Sequence, residues 1–417
     1  MSNNSRRTAI IGGMRTPFVK AGGPFRHLDP LKLSSHAVRG LLERFALDPQ
    51  KVERLVWGRV IHDPRISNLA REIVFDLKLP ARIHADLVSN NCITGIHALV
   101  AVADAIAAGH CEVGLAGGVE SMSNTPLLFG REATRIFTDA ALTKALGDRL
   151  KILTQLRPRH FKPQALGVKE PSTGLSMGEH AEISAKHWQI ARREQDEIAL
   201  RSHQRAAAAT RDGRLKAEIF PLDGLDHDTL VRGDTSLDKL AKLPPVFDRG
   251  ASGTITAGNA SALTDGASAL LLMSEERAAK EGLKVLAFVK AVEFAAIDPG
   301  DGLLMAPAVA VPRLLRRTGL TLEQMDIVEM HEAFGAQVAC NLKAWEQGWQ
   351  EEAIGRVDPE KLNPLGSSIA VGHPFGATGT RIVTTLANEM ARRDARYGLV
   401  SICAAGAMAA ALILERP

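Results

Sequence analysis

An α/β fold built on a duplicated strand–helix unit is what the sequence predicts, and three observations carry that expectation. Strand-length apolar runs alternate with helix-length amphipathic segments through the first third of the chain and again from Leu270 onward. The two stretches echo each other, with L-D-P-Q-K-V-E-R-L-V-W-G in the first answered by T-L-E-Q-M-D-I-V-E-M-H in the second. Between them, Pro126 to Gly250 is richer in charge, proline and arginine and poorer in strand signals, so it reads as an insertion on the scaffold. Alternation of this kind means a parallel or mixed sheet covered by helices on both faces.

The first strand is expected over Thr8–Ile11. The twin arginine before it is not followed by the long apolar core of a signal peptide, because Arg15 interrupts the run. Leu55–Val60 reads as an apolar strand and Asn68–Leu77 as an amphipathic helix. Ile93–Ala108 is a helix apolar on nearly all faces, and Gly109 sits where a C-cap glycine belongs. Val113–Ala116 is a short buried strand running into Gly117-Gly118. In the insertion, Gln195–Ala209 is the clearest helix, and alternation resumes at Leu270–Met273. Gly398–Leu414 carries no charge and approaches membrane-span length, but Gly406 within it and Glu415 after it make two buried strands and a small-residue turn the better reading.

At 417 residues the chain is too long for one ordinary core. The expected divisions are a first half over 1–125, the inserted loop domain over 126–250, the end of the first half over 251–280, and a second half over 281–417. A single Tyr and a net charge of +4 argue against carbohydrate or nucleic-acid platforms. The four cysteines lie far apart with no C-x-x-C pair, which argues against a disulfide framework or a zinc site and suits a reducing, cytoplasmic compartment.

Cys92, in V-S-N-N-C-I-T-G, opens the long apolar helix. A thiol there faces unpaired backbone N–H groups and the positive end of the helix dipole, both of which favour the thiolate. Inert packing is the competing reading for any lone cysteine. Three later segments bear on the choice: M-H-E-A-F with His331, V-G-H-P-F-G-A-T-G with His373, and S-I-C-A-A-G-A-M-A-A-A with Cys403. All three follow strands or open helices, where α/β sheets bind ligands. If the halves are related by a pseudo-twofold axis, Cys92 and His373 occupy equivalent helix starts and can meet.

These motifs resemble the thiolases, acetyl-CoA acyltransferases that make or cleave 3-ketoacyl-CoA. R-T-P-F at Arg15–Phe18, N-N-C-I-T-G, L-A-G-G-V-E-S-M-S, G-N-A-S-A-L-T-D-G-A-S-A, H-E-A-F, G-H-P-F-G-A-T-G and C-A-A-G occur in the family's order, nearly end to end. The resemblance implies a duplicated five-layer αβαβα architecture. It implies Cys92 as nucleophile, His373 as its base and Cys403 as a second acid/base. One oxyanion hole is expected at His331 and His373, the other at the backbone N–H groups of Cys92 and Ala405. CoA enters as a substrate, with no cofactor and no metal. Ser261 and Ala257, on the G-N-A-S turn, are expected along the CoA arm, with Met177 and Phe334 as apolar walls. Ordinary core packing is the alternative for Met177 and Phe334.

Many thiolases have Asn where His331 stands. A histidine there, with S-T-G-L-S-M-G and R-S-H-Q-R-A-A, is similar to the β-subunits of trifunctional fatty-acid β-oxidation complexes. That implies degradative thiolysis, a homodimer or homotetramer, and an enoyl-CoA hydratase/3-hydroxyacyl-CoA dehydrogenase α-subunit as a partner. Biosynthetic acetoacetyl-CoA thiolase and a non-catalytic acyl-CoA-binding protein remain alternatives. A decarboxylating ketoacyl synthase lacks the second cysteine. A serine hydrolase would need a buried strand before G-L-S-M-G, where the sequence is instead polar.

Two departures from the family pattern stand out. Ala405, Ala407 and Ala409 occupy last-loop positions that are often glycine, where a methyl group disfavours positive φ. Ser367 replaces a common glycine, with little effect expected. Finally, Ala141–Pro163 reads as a basic amphipathic helix with leucines at 142, 146, 150, 153 and 156. Such a helix can lie on an anionic bilayer, dock on a partner chain, or bury its stripe in the core.

Overall fold

A computed structural model describes residues 6–163 and 169–417. The chain opens with strands β1 (Thr8–Arg15) and β2 (Val19–Lys20), then α1 (Pro30–Arg44), β3 (Arg54–Gly58), α2 (Leu69–Asp76) and β4 (His84–Val88). Helix α3 (Thr94–Ala107) leads to β5 (Val113–Ser121). The insertion contributes α4 (Arg131–Leu142), α5 (Leu146–Leu153), α6 (Met177–His187), α7 (Arg192–Arg211) and α8 (Leu237–Ala241). Strand β6 (Thr264–Ser274), α9 (Glu275–Glu281) and β7 (Ala287–Ala296) link the halves. The second half runs α10 (Pro307–Thr318), β8 (Ile327–Met330), α11 (Gly335–Gln347), α12 (Ser368–Val371), α13 (Thr378–Arg393), β9 (Tyr397–Ala404) and β10 (Met408–Glu415).

The strands lie in the order β4-β3-β5-β6-β1-β7-β10-β9-β8, with β2 pairing β6. β3 runs parallel to β4 and β5, and β8 parallel to β9; the other pairings are antiparallel. Among the described residues, the strands of the two halves pair only at Ala9↔Phe288 and Ile10↔Ala287, so the path divides naturally into two sheets.

The period of two along each strand explains the layers. In β6, Ala267, Ala269, Leu271 and Met273 face one core with Leu33 and Leu41 of α1 and Ile73 of α2. Its alternate residues, Leu270 and Leu272, face a second core with Ile96 and Leu99 of α3 and Ile382 and Leu386 of α13. Strand β9 repeats the device, sending Val400 and Ile402 to that central core and Leu399 and Cys403 to a third core with α10 and α11. Both faces of these strands are buried, which is why they read as continuous apolar runs. The result is helix, sheet, helix, sheet, helix. Each buried leucine or isoleucine contributes roughly 1.5–3 kcal/mol, and a one-residue slip would send every side chain to the wrong core.

The inserted segment does not stand apart. Helices α6 and α7 pack on α11 and α12 of the second half. Residues after α7 return to the first half, where Asp228 takes both ends of the buried Arg15 guanidinium at 2.6 and 2.8 Å. The single helix expected over 141–163 is not what forms. Helix α4 ends at Leu142, where the Thr143 hydroxyl and the Arg149 side chain bond the terminal carbonyls, and the short α5 follows. Its stripe is not core either: Leu142, Leu146 and Leu150 are 77%, 68% and 57% exposed. Gly398–Leu414 forms the antiparallel pair β9–β10, and no helix among the described residues is long and apolar enough to cross a membrane.

Candidate active site

Helices α3 and α13 cross at the centre of the molecule on glycines. A Cβ at Gly95 would lie 2.8 Å from the Thr380 nitrogen, and one at Gly379 would lie 2.7 Å from the Ile96 nitrogen. That close approach brings the turns preceding the two helices together. Cys92 stands two residues ahead of Thr94, the first residue of α3. His373 stands five residues ahead of Thr378, in the turn between α12 and α13. His373 therefore does not open its helix as the sequence suggested; the glycine-rich turn intervenes.

The outcome is a contact between the halves. His373 Nε2 lies 3.1 Å from Cys92 Sγ. On the other side of the ring, Nδ1 is 2.6 Å from the Thr378 hydroxyl oxygen, whose own proton goes to the Pro374 carbonyl at 3.0 Å. With its proton so engaged, the hydroxyl accepts from Nδ1–H. Nε2 is left with a lone pair facing the sulfur, the tautomer a general base requires.

His331 follows β8, and its backbone N–H donates to Ser401 O in β9 at 2.8 Å. Its ring centroid is 4.1 Å from that of His373. Nδ1 lies 2.8 Å from Ser368 Oγ, while Nε2 is buried with no partner. Cys403, at the end of β9, is buried; burial, and after it the electrostatic influence of Cys92, raises its pKa well above the ordinary thiol value. The Asn91 amide donates to Ala405 O at 3.0 Å, tying the Cys92 turn to the loop after β9. The backbone N–H groups of Ala405 and of Cys92 itself favour the ionised Cys92 sulfur. Cys92 Sγ and one nitrogen from each histidine lie within 4.8 Å of one another, the one such donor group among the described residues. A thiolate with two imidazoles has the donor types zinc takes, and the same convergence fits a single carbonyl carbon and its oxygen.

Burial dominates the electrostatics. It pushes the Cys92 thiol up to about 12, against the two backbone donors. It takes His373 down to about 3, with the Arg381 charge adding to the effect. Burial, then the His373 and Arg381 charges, hold His331 well below the ordinary imidazole value. The resting pair is a neutral thiol and a neutral imidazole. The helix-end effect that favours a thiolate is outweighed, and Cys92 lies just outside the helix that would supply it.

Of the residues expected along the CoA arm, Ser261 and Phe334 come together: Ser261 N–H donates to Ala333 O at 2.9 Å, and Ala260 bridges Phe334. Met177 starts α6 and packs, partly buried, on the core that includes Phe334. Ala257 is exposed on the turn before Gly258. Ser176 of G-L-S-M-G caps α6, its hydroxyl bonded to Glu179, and no elbow precedes it. Of the three alanines, only Ala407 adopts positive φ, at 54°. Ser367 has extended backbone at φ −142°.

The sequence assigns no role to several supporting residues, although Thr378, Thr264 and Glu120 lie inside its motifs. Thr378, Ser368 and Arg381 surround the histidines. Thr264 accepts from the His373 N–H at 3.0 Å, and buried Glu120 accepts from Gly376 N–H at 3.3 Å. Arg381 could have been found as a charge interrupting the apolar face of α13.

Comparison with known proteins places this arrangement. Residues 8–276 match the thiolase N-terminal domain and residues 283–416 the thiolase C-terminal domain. A 3-ketoacyl-CoA thiolase of Colwellia psychrerythraea is 40% identical over 99% of this chain and 98% of its own. One from Escherichia coli is 41% identical over 98% and 97%. Among solved structures, the Bacillus anthracis acetyl-CoA acetyltransferase superposes with a TM-score of 0.85 at 30% identity, covering both chains fully. Human mitochondrial 3-ketoacyl-CoA thiolase in complex with CoA gives 0.84 at 29% identity, over 99% of this chain and 98% of that one. The chain belongs to the thiolase family.

Proposed function

We propose that this protein is a 3-ketoacyl-CoA thiolase working in the degradative direction, cleaving 3-ketoacyl-CoA with CoA to acetyl-CoA and a shortened acyl-CoA. The observation that carries the reading is the 3.1 Å contact between Cys92 Sγ and His373 Nε2. The Cys92 proton passes to Nε2 as the sulfur attacks the 3-keto carbon. The C2–C3 bond then breaks, leaving the acyl group on Cys92 and the electron pair on the acetyl-CoA enolate. The enolate oxygen sits between His331 and the newly protonated His373, and Cys403 delivers a proton to its carbon. In the second half, CoA gives its thiol proton to Cys403 and attacks the acyl thioester. The tetrahedral oxygen takes the N–H groups of Cys92 and Ala405, and Cys92 leaves as its thioester bond breaks, taking its proton back from His373 Nε2. Each such donor contributes about 3–4 kcal/mol to lowering the barrier. Ser261 and Ala257 line the CoA arm in this scheme, with Met177 and Phe334 as its apolar walls.

Assembly belongs to the same proposal. The outer edge of β4 ends the strand path, which leaves an edge for a second copy in a homodimer or homotetramer. The exposed leucines of 142–150, with Arg149 and Lys151 beside them, suit an anionic bilayer. The cavity of about 550 Å³ lined by Arg131, Arg159 and Lys162 adds positive charge to that face. A hydratase/dehydrogenase α-subunit is the other occupant. Vesicle co-sedimentation that survives reversal of these charges removes the bilayer.

The deciding experiment is a steady-state thiolysis series, from acetoacetyl-CoA to long-chain 3-ketoacyl-CoA, with wild type and Cys92→Ala. Turnover lost in the variant, with a thioester adduct on Cys92 in the wild type, is expected. Tight acyl-CoA binding without turnover at any length overturns the reading.

A further inference from the structure

His331 and His373 stack closely, yet their outer nitrogens meet different hydroxyl partners. Ser368 Oγ has two partners among the described residues, His331 Nδ1 at 2.8 Å and Arg381 Nη2 at 2.9 Å. A guanidinium only donates, so one lone pair of the serine oxygen is taken by Arg381. The serine proton then has a single acceptor in reach, the lone pair of His331 Nδ1. The ring proton of His331 must therefore sit on Nε2, the buried nitrogen without a partner. Thr378 does the reverse for His373, because its proton is spent on Pro374 O and it accepts from Nδ1–H.

We infer that Ser368 and Arg381 are a positioning pair that holds His331 as the Nε2–H tautomer, so that a neutral imidazole presents a donor, not a lone pair, to the substrate oxygen. Two like rings are thus assigned opposite tasks by the hydroxyls behind them. Burial lowers the Arg381 pKa and the Arg15 charge adds to that, while the carboxyl groups of Glu329, Glu218 and Glu332 oppose the shift without cancelling it. The orientation of Arg381 toward Ser368 is part of that packed set. The consequence for turnover rests on the thiolase reading above; the proton position does not.

Neutron diffraction from perdeuterated wild-type crystals reads the proton directly and needs no variant. Deuterium on His331 Nε2 and on Ser368 Oγ, directed at Nδ1, is expected; deuterium on His331 Nδ1 overturns the inference whatever the enzyme does. In parallel, Ser368→Ala is expected to lower kcat about 10- to 100-fold with KM for CoA little changed, and Ser368→Thr to restore most of it. A Ser368→Ala enzyme with wild-type kcat overturns the positioning role. A wild type that turns over nothing sinks the thiolase reading while leaving the diffraction result to stand or fall alone.

Discussion

The Cys92 turn and the His373 turn occupy matching places ahead of the two central helices, yet they are held in opposite ways. The Cys92 turn is closed by its own residues, with one long-range tie from Asn91 to Ala405 O: Thr94 Oγ1 accepts from Asn90 N–H at 2.7 Å and donates to Asn91 O at 2.6 Å. Asn91 takes φ 48°, a conformation asparagine tolerates. The His373 turn leans on the other half, its N–H bonded to Thr264 and that of Gly376 to Glu120. The backbone of the Cys92 turn is closed mainly by its neighbours in sequence, whereas that of the His373 turn takes two further bonds from residues more than a hundred positions away. Dependence on distant residues makes the His373 turn the more easily displaced of the two.

Breaking either side should abolish the same function. Cys92→Ala and His373→Ala are each expected to lower kcat/KM by about 10⁴-fold or more, with the double variant no worse, since residues acting as a unit are not additive. Multiplying losses in initial-rate assays would show two independent contributions instead. His331→Ala, which removes a donor and leaves the thiol–imidazole contact, should lower kcat by about 10²–10³-fold. A loss under tenfold would take His331 out of the oxyanion site.

Glu120→Ala separates the two turns. It removes a buried acceptor of three backbone N–H groups, a loss of about 1–3 kcal/mol. Hydrogen exchange should quicken over residues 372–378 and stay unchanged over 90–94; equal quickening in both would erase the contrast. Smaller still is the pH effect. With Cys92 up at about 12 and His373 down at about 3, neither ionises between pH 5 and 9. Alkylation of Cys92 by iodoacetamide should therefore be nearly flat over that range in the wild type. An inflection near pH 8 would mean an ordinary solvated thiol. Smallest is Ala407→Gly, which relieves a left-handed alanine and should raise stability by up to about 1 kcal/mol in thermal unfolding. A lower melting temperature would show that the methyl contact outweighs the strain.

What was legible in the sequence divides along the same line. Periodicity exposed the strands buried on both faces, and the self-similar halves put Cys92 and His373 at related positions. His331 and Cys403 were visible as members of motifs. Thr378, Thr264 and Glu120 lay inside motifs without a role, and Ser368 was not singled out, because a polar side chain in an apolar segment shows no task until the fold supplies its partner. The break between α4 and α5 was hidden for a similar reason. Leucine spacing reports an amphipathic stripe but says nothing of the carbonyl caps that Thr143 and Arg149 provide. His373 was placed at the start of α13, five residues too near, since the turn is fixed by bonds to Glu120 and Thr264 as well as by its own residues.

The glycine crossing of α3 and α13 has a bearing on how the protein is made. During synthesis the ribosome releases the first half, cysteine included, long before residue 379 exists, so the sulfur has neither its base nor its lid of packed side chains. The thiol meets its imidazole only when the last-made helix docks at Gly95, and anything that fills that notch keeps the two apart. Competence for chemistry therefore doubles as a sign that synthesis and folding are complete.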